Sequence, residues 1–120
     1  MLIVEDYDDT RELLRFILEA RGCHVLEARD GREAVDMAPR EHPDLILMDL
    51  SLPVMNGIEA TREIHRHQEC RDIPVVAVSA HCKEWVWMRE AREAGCLECL
   101  AKPVDFDQIN EVMGRFGLDC

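Results

Sequence analysis

Short runs of consecutive apolar residues alternate along the chain with stretches whose apolar positions recur every three or four residues. Leu2-Ile3-Val4 is the first run, and it stops on acids, as a buried strand does when its end opens onto a site. Over residues 8–21, Leu13, Leu14, Ile17 and Leu18 fall at helical spacing, with Asp8 or Asp9 placed to cap the helix and Gly22 to stop it. Residues 24–28 read as a second strand, Asp30-Gly31 as a turn, and residues 32–40 as a helix that turns Ala34, Val35 and Ala38 inward. Leu45-Ile46-Leu47-Met48 is a continuous apolar run, the mark of a parallel strand covered on both faces. A loop over 52–57 and a helix over 58–66 follow, then a strand Val75-Val76-Ala77-Val78 opened by Pro74 and ending at Ser79-Ala80. Residues 83–94 form a helix closed by Gly95, Cys99-Leu100-Ala101 a short last strand, and residues 105–116 a last helix. Five strands alternating with five helices predict an α/β fold with a parallel sheet built by right-handed crossovers.

Composition narrows the function. At 120 residues the chain is expected to be one domain, 1–120. Fourteen basic residues against 25 acidic ones leave a formal charge of -11. Phosphate backbones and anionic membrane surfaces both need a basic face, so neither direct nucleic-acid binding nor membrane binding is expected. No apolar run approaches the ~20 residues of a membrane span, and a cytoplasmic location is expected. The six cysteines, Cys23, Cys70, Cys82, Cys96, Cys99 and Cys120, are read as reduced thiols, several of them small hydrophobes within apolar segments. Cys96 and Cys99 have the spacing of a zinc or redox pair, but no second pair accompanies them, and no metal site is assigned there.

In an open parallel sheet, ligands bind beyond the carboxyl ends of the strands. The first strand delivers Glu5 and Asp6 to that edge, the third Asp49, the fourth Ser79 and the fifth Lys102. Carboxylates this close repel one another unless a cation lies among them, and magnesium suits an all-oxygen set. Lys102 adds a fixed positive charge, and Ser79 a hydrogen-bond donor for an anionic oxygen. These parts suit a phosphoryl group held on one carboxylate, with Asp49 at the end of the central strand as the nucleophile.

The ordered set Leu2-Ile3-Val4-Glu5-Asp6, Leu47-Met48-Asp49-Leu50-Ser51-Leu52-Pro53-Val54-Met55-Asn56-Gly57, Val78-Ser79-Ala80 and Leu100-Ala101-Lys102-Pro103 resembles the receiver domains of two-component response regulators. The resemblance spans nearly the whole chain and implies a flavodoxin-like (βα)5 three-layer sandwich with strand order 2-1-3-4-5. It implies that Asp49 takes a phosphoryl group from the phosphohistidine of a sensor histidine kinase or phosphotransfer protein. It further implies magnesium on Asp6, Asp49 and the Ser51 carbonyl, with Glu5 acting through water. Ser79 and Lys102 would respond to the phosphoryl group, and Lys102-Pro103 would be a cis peptide. An effector, fused or separate, would read the result, and the domain itself would be either free-standing or one part of a longer regulator or hybrid kinase.

Three departures stand out. Cys99 occupies the position, three before Lys102, where such domains usually carry an aromatic residue that rotates on activation. The stretch from Ser79 to Gly95 is about one residue longer than usual, so an irregular start to the fourth helix is expected. The last helix lacks the Lys/Arg-rich pattern of receivers that dimerise to drive DNA binding, and no such dimer is assumed. The resemblance implies that Ser51 and His81, two residues past Asp49 and Ser79, would set the lifetime of the phosphorylated state. Trp85 and Trp87 are two apart on a helix, so at most one packs well inward.

Three other functions compete with the signalling receiver. A receiver-like interaction module working without phosphorylation is weakened by the complete acidic site. A turnover phosphatase forming an aspartyl-phosphate would need a general acid where Ser51 stands, and a cap domain to bind substrate. A flavin-type cofactor binder would need a phosphate loop where Glu5-Asp6-Tyr7-Asp8-Asp9 would repel one.

Overall fold

The computed structural model describes residues 1–118. Five parallel strands, β1 (Leu2–Val4), β2 (Leu26–Ala28), β3 (Ile46–Asp49), β4 (Val75–Ser79) and β5 (Cys96–Ala101), form one sheet of order β2-β1-β3-β4-β5. The helices are α1 (Asp8–Ala20), α2 (Gly31–Glu41), α3 (Gly57–Arg66), α4 (Trp85–Ala94) and α5 (Phe106–Arg115). This is the flavodoxin-like (βα)5 sandwich implied by the sequence.

Strand alternation sorts the core into two layers. Leu2, Val4, Ile46, Met48, Val75 and Ala77 point to the face covered by α2, α3 and α4. Ile3, Leu47, Val76 and Val78 point to the face covered by α1 and α5, where Leu14, Ile17, Leu18, Ile109, Val112 and Met113 meet them. Both faces are therefore dry, and the central strands can be apolar throughout. No helix among the described residues is long and apolar enough to cross a membrane.

Several boundaries differ from the sequence reading. Asp8 and Asp9 do not cap α1; Tyr7 is the N-cap without a side-chain bond, and the two acids lie in the first turn, where the helix dipole favours them. Asp30 is a cap and not merely a turn residue, accepting from the Glu33 N–H at 2.9 Å. Asn56 caps α3 in the same way, and Asp105 forms a capping box with Gln108 at α5. Leu13, assigned to the inner stripe of α1, is exposed, and Arg11 is buried instead. β2 begins at Leu26, two residues later than expected. α4 begins at Trp85 because residues 81–84 form a turn closed by Glu84 N–H to the His81 carbonyl, which is the irregular start anticipated there. β5 begins at Cys96, and its pairing with β4 skips Leu97 in a bulge. The expectation of reduced thiols also fails: Cys82 and Cys99 form a disulfide, and Cys23 is disulfide-bonded as well. Sheet pairing brings Cys82 and Cys99 together although 17 positions separate them in the chain. Cys70 and Cys96 are free and buried, and Cys120 lies outside the described residues.

Candidate functional site at the strand ends

The site forms where β1, β3, β4 and β5 end. Glu5 follows β1 directly, held by its N–H on the Ala28 carbonyl at 3.0 Å. Asp49 closes β3 in register with Val78, so Ser79 stands one position further along the neighbouring strand. Lys102 leaves β5 just past the Ser79–Ala101 pairing, and its N–H donates to the Ser79 carbonyl at 3.1 Å. Lys102-Pro103 is cis.

Glu5 and Asp49 are almost fully buried, at 1% and 4% exposure, which ionised carboxylates tolerate only with partners. Each has one backbone donor and shares one ammonium. Tyr7 N–H donates to Glu5 Oε2 at 3.1 Å, and Ser51 N–H to Asp49 Oδ1 at 3.0 Å. Lys102 Nζ bridges the pair, 2.8 Å from Glu5 Oε1 and 3.1 Å from Asp49 Oδ2. Desolvation alone would lower the Lys102 pKa, but the bonds and charges of Glu5 and Asp49 outweigh it and hold the ammonium above the ordinary lysine value.

Asp6 completes the group from the solvent side: one carboxylate oxygen each of Glu5, Asp6 and Asp49 lies within 4.8 Å of the others. Three hard oxygens, two buried and one exposed, fit a divalent cation that enters from water. A close approach fixes the loop beneath them. Gly57 opens α3 against the end of β3, where an added Cβ would lie 2.2 Å from the Asp49 carbonyl oxygen.

Ser79 is buried, its hydroxyl accepting from the His81 N–H at 3.0 Å. The His81 ring pairs through Nδ1 with Glu84 at 2.9 Å and stacks on Trp87 at 5.2 Å. Trp87 packs against the α2–α4 core layer, whereas Trp85 is 70% exposed. Ser51 is exposed and meets the site through its backbone N–H.

Sequence reasoning missed Arg11. Its Nη1 donates to the Glu5 carbonyl at 3.0 Å, and its guanidinium also pairs with Asp8 and with Glu27, so it straps the end of β1 to α1. The signal was available, since position 11 shares the inward face of α1 with Leu14 and Leu18.

A parallel sheet of this order, with carboxylates from β1 and β3 facing a lysine from β5 across its carboxyl edge, is the architecture of a two-component receiver. The chain belongs to that family: the response regulator receiver domain matches residues 1–113. It is 38% identical to the polar-differentiation response regulator DivK of Brucella ovis over 116 residues, covering 97% of this chain and 94% of the relative. The receiver domain of a Pseudomonas aeruginosa sensor histidine kinase, solved with magnesium coordinated in its active-site cleft, superposes with a TM-score of 0.89. That domain is 33% identical, with 96% of this chain and 93% of the other covered. Chemotaxis protein CheY4 of Vibrio cholerae gives a TM-score of 0.90 at 25% identity, covering 96% and 95%. The chain is thus a phosphoacceptor signalling domain of two-component systems, working with histidine kinases or phosphotransfer proteins as a class, and not an enzyme that turns over external substrates.

Proposed function

We propose that Asp49 is the residue phosphorylated, and that the donor is the phosphohistidine of a sensor histidine kinase or phosphotransfer protein. The observation that carries this reading is the state of Asp49: a buried carboxylate at the end of the central strand, oriented by the Ser51 N–H and the Lys102 ammonium beside two further acids. An Asp49 carboxylate oxygen attacks phosphorus, the phosphorus–nitrogen bond breaks, and the ring leaves as neutral imidazole, keeping the proton already on its other nitrogen. Lys102 then transfers its pairing from the carboxylate to a phosphoryl oxygen. Ser79 turns its hydroxyl to donate to another, releasing the His81 N–H. Glu5, Asp6, Asp49 and the Ser51 carbonyl are the groups that would hold magnesium, which when bound supplies positive charge for the transferring oxygens.

Phosphorylation adds about -1.5 to -2 of charge at pH 7. That charge pulls on Ser79 and Lys102, and the pull reaches His81, Trp87 and the start of α4. Ser51 and His81, flanking the acceptor, set the lifetime of the acyl phosphate. The whole chain, 1–120, is read as one receiver unit in the cytoplasm, acting through an effector and without direct contact to nucleic acid or membrane.

Treatment with acetyl phosphate and magnesium, followed by intact-mass analysis, tests the assignment. A gain of one phosphoryl unit is expected, lost in Asp49→Asn and lost when magnesium is chelated. An unmodified wild-type chain, or an equal gain in the variant, overturns it.

A further inference from the structure

The Cys82–Cys99 bond ties the lead-in of α4 to β5, with the Cα atoms 5.7 Å apart, and the ring it closes contains the whole of α4. The Cys82 end touches the machinery described above, and the Cys99 end lies on the strand that delivers Lys102. Cys82 Sγ lies 3.4 Å from the Ser79 carbonyl oxygen, the same oxygen that accepts from Lys102 N–H. Cys99 is held in register with Ala77 and stands three positions before Lys102. Trp87 lies between the two cysteines and stacks on His81, the residue just before Cys82. Both cysteines are half-buried and within reach of a thiol reagent, unlike the buried Cys70 and Cys96.

We propose that the Cys82–Cys99 pair is a redox gate on phosphorylation of Asp49: the disulfide holds the 80–84 segment against β5 and slows the reaction, and reduction releases it. This rests on Asp49 being the acceptor. When the Ser79 hydroxyl turns to a phosphoryl oxygen it gives up the His81 N–H, and the segment that carries His81 loses that tie to β4 and is free to move. Cys82 is the next residue, and a covalent link to β5 removes most of that freedom. The ligand in this case is a dithiol reductant. Its thiolate attacks one sulfur of the pair to give a mixed disulfide, and its second thiolate displaces that sulfur. The reductant is thereby oxidised to a disulfide, and Cys82 and Cys99 gain two electrons and two protons. In a reducing compartment, disulfides are usually transient and redox-sensing, which suits a gate better than a staple.

The test compares acetyl phosphate labelling of the full chain, with magnesium, after treatment with oxidised glutathione or with dithiothreitol. Reduced protein is expected to label about fivefold faster or more, the lower end of typical site-to-site coupling. A Cys82→Ser/Cys99→Ser double variant should label at the reduced rate under both conditions, which separates this pair from the other cysteines. Equal rates for oxidised and reduced wild type, with peptide mapping confirming the change at this pair, overturn the gate. So does failure of the bond to form in oxidised glutathione. Absence of labelling in both states is a different result, the failure of Asp49 as acceptor. Hydrogen exchange over 80–84 then decides the clamp: slower exchange in the oxidised chain supports it, and identical exchange removes it.

Discussion

Replacing Lys102 with methionine removes the ammonium that joins Glu5 to Asp49 while keeping an unbranched side chain one atom shorter. At an effective dielectric constant of about 20, contacts of 2.8 and 3.1 Å are each worth roughly 5–6 kcal/mol before desolvation. Desolvation takes back most of that, but deleting one partner of a buried pair still costs about 3–5 kcal/mol, because the remaining charge stays buried. The Lys102 side chain is 28% exposed, so solvent screening puts the loss near the low end, about 3 kcal/mol. In a domain of this size that lowers Tm by about 10 °C. The pKa of Lys102 is raised in the fold, so this stabilisation is fully present below the ordinary value of 10.5 and is lost only as pH rises through the higher folded value. The deficit should therefore be flat between neutral and mildly alkaline pH. A divalent cation on the same carboxylates replaces the missing charge, and it binds a cluster one unit more negative in the variant. Thermal melts followed by circular dichroism, in EDTA and in magnesium chloride, check both parts. Lys102→Met melting with wild type in EDTA, or wild type gaining as much from magnesium as the variant, would refute the reasoning.

Asp6→Asn removes one like charge from the trio, so its Tm in EDTA should equal or exceed that of wild type, while most of the stabilisation by magnesium disappears; a retained magnesium shift counts against Asp6 as a ligand. Gly57→Ala drives a methyl into the Asp49 carbonyl and should cost about 1–3 kcal/mol by urea denaturation; an unchanged midpoint contradicts the close approach. A fluorescence change is expected on adding magnesium or on phosphorylation, lost in Trp87→Phe and kept in Trp85→Phe; the reverse pattern would separate His81 from the signal. Burial raises the Cys96 thiol pKa against the opposing hydrogen bond from Thr61, and burial with the Glu69 charge raises Cys70. Neither thiol should react with iodoacetamide at pH 8 until the chain is unfolded, as mass mapping would report.

The central sheet was legible because β3 and β4 are covered on both faces, and only continuous apolar runs satisfy that requirement. The convergence at the candidate site was legible because strand ends in such a sheet come together, and Glu5, Asp49 and Lys102 are in direct contact. Edges were harder. β2 is three residues long and half-covered, so its pattern is weak. β5 carries Glu98, whose carboxylate reaches Arg115 at 2.7 Å, and it bulges at Leu97, so a charged and irregular strand showed only its last residues. On α1 the apolar period favoured Leu13, yet Arg11 takes the inner position because the Glu5 carbonyl, Asp8 and Glu27 together satisfy its guanidinium. Spacing along the chain carries no information about Cys82 and Cys99, which become neighbours only once β4 and β5 pair.

The reactive rim draws on positions from 5 to 102 and reaches its geometry only when β1, β3, β4 and β5 end level with one another. A nascent or clipped chain lacking β5 has acids without their ammonium, and one lacking β1 has neither Glu5 nor Asp6 to gather a cation. Incomplete copies of this protein are therefore mute: the competence to carry a signal arrives only with the finished sheet.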